Sequence, residues 1–156
     1  MLGSNQGDRT AHLQLARTMI TREIGEIINA SHIYETEAWG VRDQQPFLNQ
    51  AVKVATTLSP EDVLRAAQKI EDQNGRTRGM RWGARTLDID IAFYDDMIIR
   101  SRQLTVPHPR IPQRNFALIP LIEIAGHMLH PELQLTLREL FARSTDQSEV
   151  SILGGG

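Results

Sequence analysis

The chain has 156 residues, 40% of them apolar, a formal net charge of −2 and no cysteine. That length suits one globular domain with a real core, and the charge balance provides no global basic field of the kind nucleic acid attracts. The missing cysteine excludes a disulfide framework and thiol chemistry.

Taken in chain order, Met1-Leu2-Gly3-Ser4-Asn5-Gln6-Gly7-Asp8 reads as a turn-rich loop. Leu13, Ala16, Ile20, Ile24 and Ile27 then fall at spacings of three and four, which predicts a helix, with Gly25 as its stop. A strand is expected near Ile28–Thr36, a loop over Glu37–Gln45, and a second strand over Phe47–Thr57. In that second strand Leu48, Val52 and Val54 line one face, and Phe47, Asn49 and Ala51 the other. Ser59-Pro60-Glu61-Asp62 is a strong helix start: the serine caps, proline suits the first turn, and the acids favour the dipole. This helix turns Val63, Ala67 and Ile70 inward and stops at Asn74-Gly75.

A basic, glycine-bearing loop over residues 76–85 leads into Leu87-Asp88-Ile89-Asp90-Ile91, which alternates strictly as a half-buried strand does. Asp95-Asp96 turns the chain, and Met97–Ile99 is expected to pair back as a hairpin. Pro107, Pro109 and Pro112 enforce an extended loop. Phe116–Ala125 reads as short helical pieces interrupted by Pro120, and Thr136–Arg143 as a final amphipathic helix. With a strand added before the first helix, the order becomes βαββαβ, an α+β sandwich with extra C-terminal helices. Only Met1 and Leu2 precede the first loop, so the first strand is expected to be cut short. One domain spans residues 1–153, and Gly154, Gly155 and Gly156 form a tail. No apolar run has the length of a membrane span and no basic-then-apolar leader opens the sequence, so a soluble cytoplasmic protein is expected.

Asp88 and Asp90 carry the strongest chemical signal. Two carboxylates on one strand face lie roughly 6–7 Å apart at their backbones, close enough to converge on metal. Acids are poor strand formers and repel when adjacent on a face; a bound cation would relieve that repulsion. Spacing alone leaves a metal site and a solvated face both open. Arg76, Arg78, Arg81 and Arg85 crowd the loop just before, where guanidinium forks suit phosphate oxygens. Such a loop is otherwise simply solvated. Hard oxygen ligands beside arginines suit magnesium with a nucleotide triphosphate. Gln68 and Glu71 share one helix face, which on spacing alone is an ordinary polar face. Phe47 and Asn49 share a strand face, where a ring and an amide would suit a flat heterocycle or simply pack. No lysine completes a Walker-type loop and no nucleophile elbow is present.

These residues resemble the 6-hydroxymethyl-7,8-dihydropterin pyrophosphokinase family over nearly the whole chain. The blocks are Gly3-Ser4-Asn5 with Gly7-Asp8, Tyr34-Glu35-Thr36, Gln45-Pro46-Phe47-Leu48-Asn49, Arg81-Trp82-Gly83-Ala84-Arg85-Thr86-Leu87-Asp88-Ile89-Asp90, and Leu104-Thr105-Val106-Pro107-His108-Pro109, with Arg114 and Phe116. The resemblance implies a ferredoxin-like α+β fold with three catalytic loops, near residues 3–9, 37–46 and 76–86. It implies transfer of the ATP pyrophosphoryl group to the hydroxymethyl oxygen of the pterin, releasing AMP, in folate biosynthesis. Asp88 and Asp90 would hold two Mg2+ ions. The pterin would lie between Phe47 and Phe116, with Asn49 at its edge and Thr36 and Ala38 at its rim. Gln68, Glu71, Arg78, Trp82, Ile91, Thr105, His108 and Arg114 match positions lining the ATP site, and Arg76 and Arg85 match arginines that meet the phosphates. Gln103 stands where some members place an ATP-contacting arginine, and Trp39 where some place a smaller apolar residue. The implied partners are ATP and the pterin, with a monomer acting on neither nucleic acid nor membrane. Two rival readings are a nucleic-acid-binding ferredoxin-like domain using the arginine loop, and an inactive nucleotide-binding module. The 5% aromatic content opposes the first. Intact Asp88, Asp90 and Arg85 oppose the second.

Overall fold

The computed structural model describes residues 1–37, 45–75 and 86–154. Residues 38–44 of the loop expected over Glu37–Gln45 and all of that over residues 76–85 lie outside them, as do the site candidates Ala38, Arg76, Arg78, Trp82 and Arg85. The chain begins with strand β1 (Leu2–Ser4) and helix α1 (Arg9–Glu23). Asp8 caps α1, its carboxylate accepting from the Ala11 N–H at 3.1 Å. Strands β2 (Glu26–Ala30), β3 (Tyr34–Thr36), β4 (Phe47–Gln50) and β5 (Val52–Ala55) follow, then helix α2 (Pro60–Gln73) and strand β6 (Asp88–Ile89). After these come β7 (Ile99–Arg100), β8 (Thr105–Val106), a 3₁₀ turn at Ile111–Gln113, α3 (Asn115–Ala125), α4 (Leu137–Arg143) and β9 (Val150–Ile152).

Among the described residues, one antiparallel sheet runs in the order β6-β1-β4-β3-β9, with β2-β5 and β7-β8 as separate pairs. The short first strand is thus flanked on both sides. On one face, Leu13, Ala16 and Ile20 of α1 and Ile70 of α2 pack against Leu2, Leu48 and Leu87. On the other, Ala117, Leu118 and Leu121 of α3 and Leu137 and Leu140 of α4 pack around Ala51, Ala92 and Ile111. Each sheet face is therefore closed by helices, the layered arrangement an apolar strand face requires.

The start of α2 forms as its sequence implies. Ser59 Oγ accepts from the Asp62 N–H at 3.2 Å, and Gly75, at φ 76°, takes the left-handed backbone that follows the helix end. Four expectations are corrected. The strand expected near Ile28–Thr36 is two strands, β2 and β3, and that over Phe47–Thr57 is β4 and β5. The ladder breaks where Ser31 meets Ala51: the Ala51 N–H donates to Ser31 Oγ at 2.9 Å instead of to a main-chain carbonyl. A side-chain hydroxyl thus takes the place of a main-chain acceptor there. The Asp95-Asp96 turn is present, the Met97 N–H donating to the Tyr94 carbonyl at 3.1 Å, but Ile99 pairs with Val106 and not with the strand before the turn. Phe116–Ala125 lies within one continuous helix with Pro120 inside it. Proline there removes one helical hydrogen bond, but Pro120 is fully buried in the core and its packing holds the helix together. Strand β9 is unanticipated.

Gly25 stops α1 for a reason other than left-handed capping. Helix α1 ends at Glu23, and a Cβ on Gly25 would lie 2.0 Å from the Ala55 carbonyl oxygen. The chain needs glycine there because β5 passes too close for any side chain. Gly25→Ala should therefore lose about 1–3 kcal/mol of stability, read as a lower urea midpoint at unchanged slope.

Candidate active site

The register of the sheet assembles the site. Gly3 pairs with Asp88 on one side and Asn49 on the other, and Asn49 pairs in turn with Tyr34. Residues directly opposite in an antiparallel ladder share a face, so Asp88, Gly3, Asn49 and Tyr34 form one row across the sheet. Thr36 pairs with Phe47 in the next row of the same face. The middle of the row has no side chain, and a Cβ on Gly3 would sit 3.0 Å from Asn49 Oδ1. The Asn49 amide therefore leans over the glycine toward Asp88. Asn49 and Thr36 are both buried, and the Thr36 hydroxyl has no hydrogen-bond partner among the described residues. A buried unpaired hydroxyl costs free energy unless something completes it, so it marks a place for a polar ligand group.

Strand β6 is the acidic rim. Leu87 is fully buried beneath it and Ile89 packs into the same core, so Asp88 faces the opposite way, as alternation implies. The ladder is only two residues long, but the Asp90 N–H extends it by donating to the Met1 carbonyl at 2.9 Å. Glu71, buried on α2, accepts from the Ile89 N–H at 2.9 Å. This glutamate, which on spacing alone was an ordinary polar face residue, ties α2 to the strand that presents the aspartates. Gln68, one turn earlier, is exposed.

Beyond β6 the chain brings Asp90, His108, Arg110 and Arg114 within electrostatic reach of one another. Burial pushes the His108 imidazole below its usual range; Asp90 opposes that shift, and Arg114 and Arg110 reinforce it. The Arg110 N–H donates to His108 Nδ1 at 3.3 Å, which leaves the ring's proton on Nε2. Arg114 is also lowered, by burial first and then by Arg110. Its guanidinium lies 5.5 Å from the centre of the Phe116 ring. Phe116 and Phe47 are both half-buried, Ile91 is half-buried, and Thr105 and Gln103 are exposed.

The N-terminal loop ties the site's edges together. Arg9 donates to the Pro46 carbonyl at 2.8 Å and to Glu35 at 3.0 Å. Asn5 donates to the Gln45 carbonyl at 3.5 Å and Gln45 to the Gly7 carbonyl at 3.4 Å. Thr86 donates to Gln6 Oε1 at 3.3 Å. Residues 5–9 thus hold both the entry to β4 and the approach to β6. Arg110 escaped the sequence reading; a polar residue in a turn has no periodicity to single it out.

Tyr34 and Glu123 join the row to helix α3. The Tyr34 hydroxyl donates to Glu123 on α3 at 2.5 Å, and the His32 N–H also donates to that carboxylate. Phe116 lies two turns earlier on the same helix, so this bond ties the helix that carries Phe116 to the strand that carries Tyr34.

A family model described as 7,8-dihydro-6-hydroxymethylpterin-pyrophosphokinase (HPPK) matches residues 1–126. A 2-amino-4-hydroxy-6-hydroxymethyldihydropteridine pyrophosphokinase of Bacillus subtilis is 41% identical over 152 residues, 97% of this chain and 86% of that protein. Its counterpart in Aquifex aeolicus is 40% identical over 144 residues, 92% of this chain and 89% of that protein. Among solved structures, wild-type Plasmodium falciparum HPPK-DHPS superposes with a TM-score of 0.71 at 18% identity, over 91% of this chain and 42% of that one. That likeness concerns the fold: an antiparallel sheet with four helices in a mixed α/β arrangement.

Burial and the Glu123 bond push the Tyr34 phenol up to about 12 from its ordinary 10.0. A raised phenol pKa stabilises the fold fully below pH about 10 and loses that contribution as pH climbs toward about 12. Tyr34→Phe should cost about 1–2 kcal/mol at neutral pH. Its urea midpoint should also fall less steeply than that of the parent protein as pH rises above about 10.

Proposed function

Because the chain belongs to the 7,8-dihydro-6-hydroxymethylpterin-pyrophosphokinase family, we propose that its sheet face and flanking loops divide that family's reaction as follows. The activity is that of an ATP-dependent diphosphokinase, a transferase of folate biosynthesis that passes the pyrophosphoryl group of ATP to 6-hydroxymethyl-7,8-dihydropterin. The observation that carries the assignment of roles is the row Asp88–Gly3–Asn49, with the buried Thr36 hydroxyl beside it, which has no partner among the described residues. In it an acidic rim adjoins a flat, polar recess floored by glycine.

The pterin lies in that recess. Asn49 offers both an acceptor and donors to the pterin edge, and the Thr36 hydroxyl gains its missing partner at the rim, near Ala38. Phe47 and Phe116 close on the two faces of the ring. Asp88 and Asp90 are hard oxygen donors on one rim, a fit for magnesium, which keeps phosphate and water oxygens in its remaining positions. Two Mg2+ ions there would offset charge on the triphosphate and favour loss of the hydroxymethyl proton. His108, neutral with its proton on Nε2, donates to the nucleotide, and Arg114 meets it from beside Phe116. Gln68, Ile91 and Thr105 line the nucleotide, with Arg78 and Trp82 from the arginine loop. Glu71 acts at one remove by holding β6. Arg76 and Arg85 meet the phosphates. The protein supplies position and charge and needs no nucleophile of its own.

Residues 1–153 work as one domain, since β9 is a strand of the site's own sheet. The strand order β6-β1-β4-β3 with its two connecting helices is read as ferredoxin-like. The protein is proposed to act as a cytoplasmic monomer on small molecules and not on nucleic acid or membrane; no helix among the described residues is long and apolar enough to cross a membrane.

Incubation with ATP, magnesium and 6-hydroxymethyl-7,8-dihydropterin should produce AMP, and ATP without the pterin should produce little. Asp88→Ala and Asp90→Ala should each lower AMP production by about a hundredfold or more while melting within a few degrees of the parent protein. Near-normal turnover in either variant would sink the two-metal assignment. Arg85→Ala should lower kcat more than it raises the KM for ATP, because its contact strengthens as charge develops. An unchanged kcat removes it from the phosphates.

A further inference from the structure

Helix α3 carries Phe116 and begins just after Arg114, but its own sequence supplies no capping side chain: the N-cap residue is Arg114. The cap comes from elsewhere. Asp146 Oδ2 accepts from the Asn115 N–H at 2.7 Å, and Asn115 Nδ2 donates back to the Asp146 carbonyl at 2.9 Å. Ser148 locks the aspartate in place, donating to Asp146 Oδ1 through its N–H at 2.9 Å and its hydroxyl at 2.7 Å. A carboxylate at a helix N-terminus meets both an orphan N–H and the positive end of the dipole. The Asp146 charge is also felt by Arg114.

The same segment grips the opposite wall of the recess. Four residues past Asp146 the chain enters β9, where Val150 pairs with Thr36 and Ile152 with Tyr34. The Leu153 N–H then donates to the Ile33 carbonyl at 2.8 Å. Residues 146–153 therefore bridge the helix that presents Arg114 and Phe116 and the strand that presents Thr36. All of them lie beyond the residues 1–126 that the family model matches.

We propose that residues 146–153 are a strap that sets the width of the substrate recess, with Asp146 as its positioning residue for Arg114 and Phe116. This rests on the reading of Phe116 as a pterin wall and Arg114 as a nucleotide contact. Without the Asp146 cap the first turn of α3 loosens, and the ring and the guanidinium lose their fixed place. The loss falls on substrate affinity more than on turnover, because Asp146 itself touches neither substrate.

The test measures kcat and both KM values, by AMP release, for Asp146→Ala, Asp146→Asn, Arg114→Ala, Phe116→Ala and Gly25→Ala. The last is destabilising where β5 passes Gly25, at a place that holds no residue of the site, and serves as a control for simple loss of stability. Asp146→Ala should raise the KM for ATP and for the pterin about fivefold, the fold-change that one lost cap corresponds to, with kcat within about twofold. Asp146→Asn keeps an acceptor oxygen and should fall between it and the parent. If Asp146→Ala does not accumulate, Asp146→Asn carries the test alone. Gly25→Ala should lower the melting temperature and leave both KM values unchanged. Raised KM in Arg114→Ala and Phe116→Ala but not in either Asp146 variant overturns the strap alone. Unchanged KM in Arg114→Ala, Phe116→Ala and the Asp146 variants overturns it together with the site reading. A KM rise in Gly25→Ala equal to that in Asp146→Ala also overturns it, since the effect would then be general loosening.

Discussion

Strand β1 is three residues long, and the site is organised by its pairing on both edges. Antiparallel pairing puts directly opposite residues on one face, so pairing Gly3 with both Asp88 and Asn49 brings an acidic rim and an amide together over a bare backbone. A shift of one residue would turn Asp88 into the apolar core and Leu87 out of it. Burial of Leu2, Leu48 and Leu87 in one cluster opposes that shift, at about 2 kcal/mol for each leucine side chain. The chemistry on one face is therefore held in register by the hydrophobic effect on the other.

Around that row, the polar parts are held by hydrogen bonds reaching across long stretches of chain. Glu71 steadies the acidic strand from α2, Glu123 holds Tyr34 from α3, and Asp146 caps α3 from the C-terminal segment. Each is a carboxylate accepting from a group with few other partners, and such bonds to charged acceptors are among the stronger ones. They bring rigidity where apolar packing alone would leave the elements around the row free to slide. The Tyr34–Glu123 bond and the Asp146 cap act on the same helix from its two ends, so together they define where Phe116 stands.

The electrostatics divide the site in two. At Asn49 and Thr36 the row is buried and neutral. The rim at Asp90, His108, Arg110 and Arg114 mixes charges, with His108 held neutral by burial. A neutral imidazole beside an aspartate and two arginines donates a hydrogen bond without adding positive charge.

Much of this was legible in the residues alone. The alternation from Leu87 to Asp90, the Ser59 cap and the glycine after α2 are local signals, each depending on neighbours a few residues away, and the structure keeps them. The ordered motif blocks named the family for the same reason: they are read along the chain. What folding alone decided is which distant groups meet. Ile99 pairs with Val106, the strands break where Ser31 meets Ala51, Gly25 yields to the Ala55 carbonyl, and Asp146 caps a helix that begins 31 residues earlier. A hydrogen bond or a close approach between remote segments leaves no period in the sequence. It exists only once burial of two apolar layers has fixed the path of the backbone, and that cooperative choice belongs to the tertiary structure.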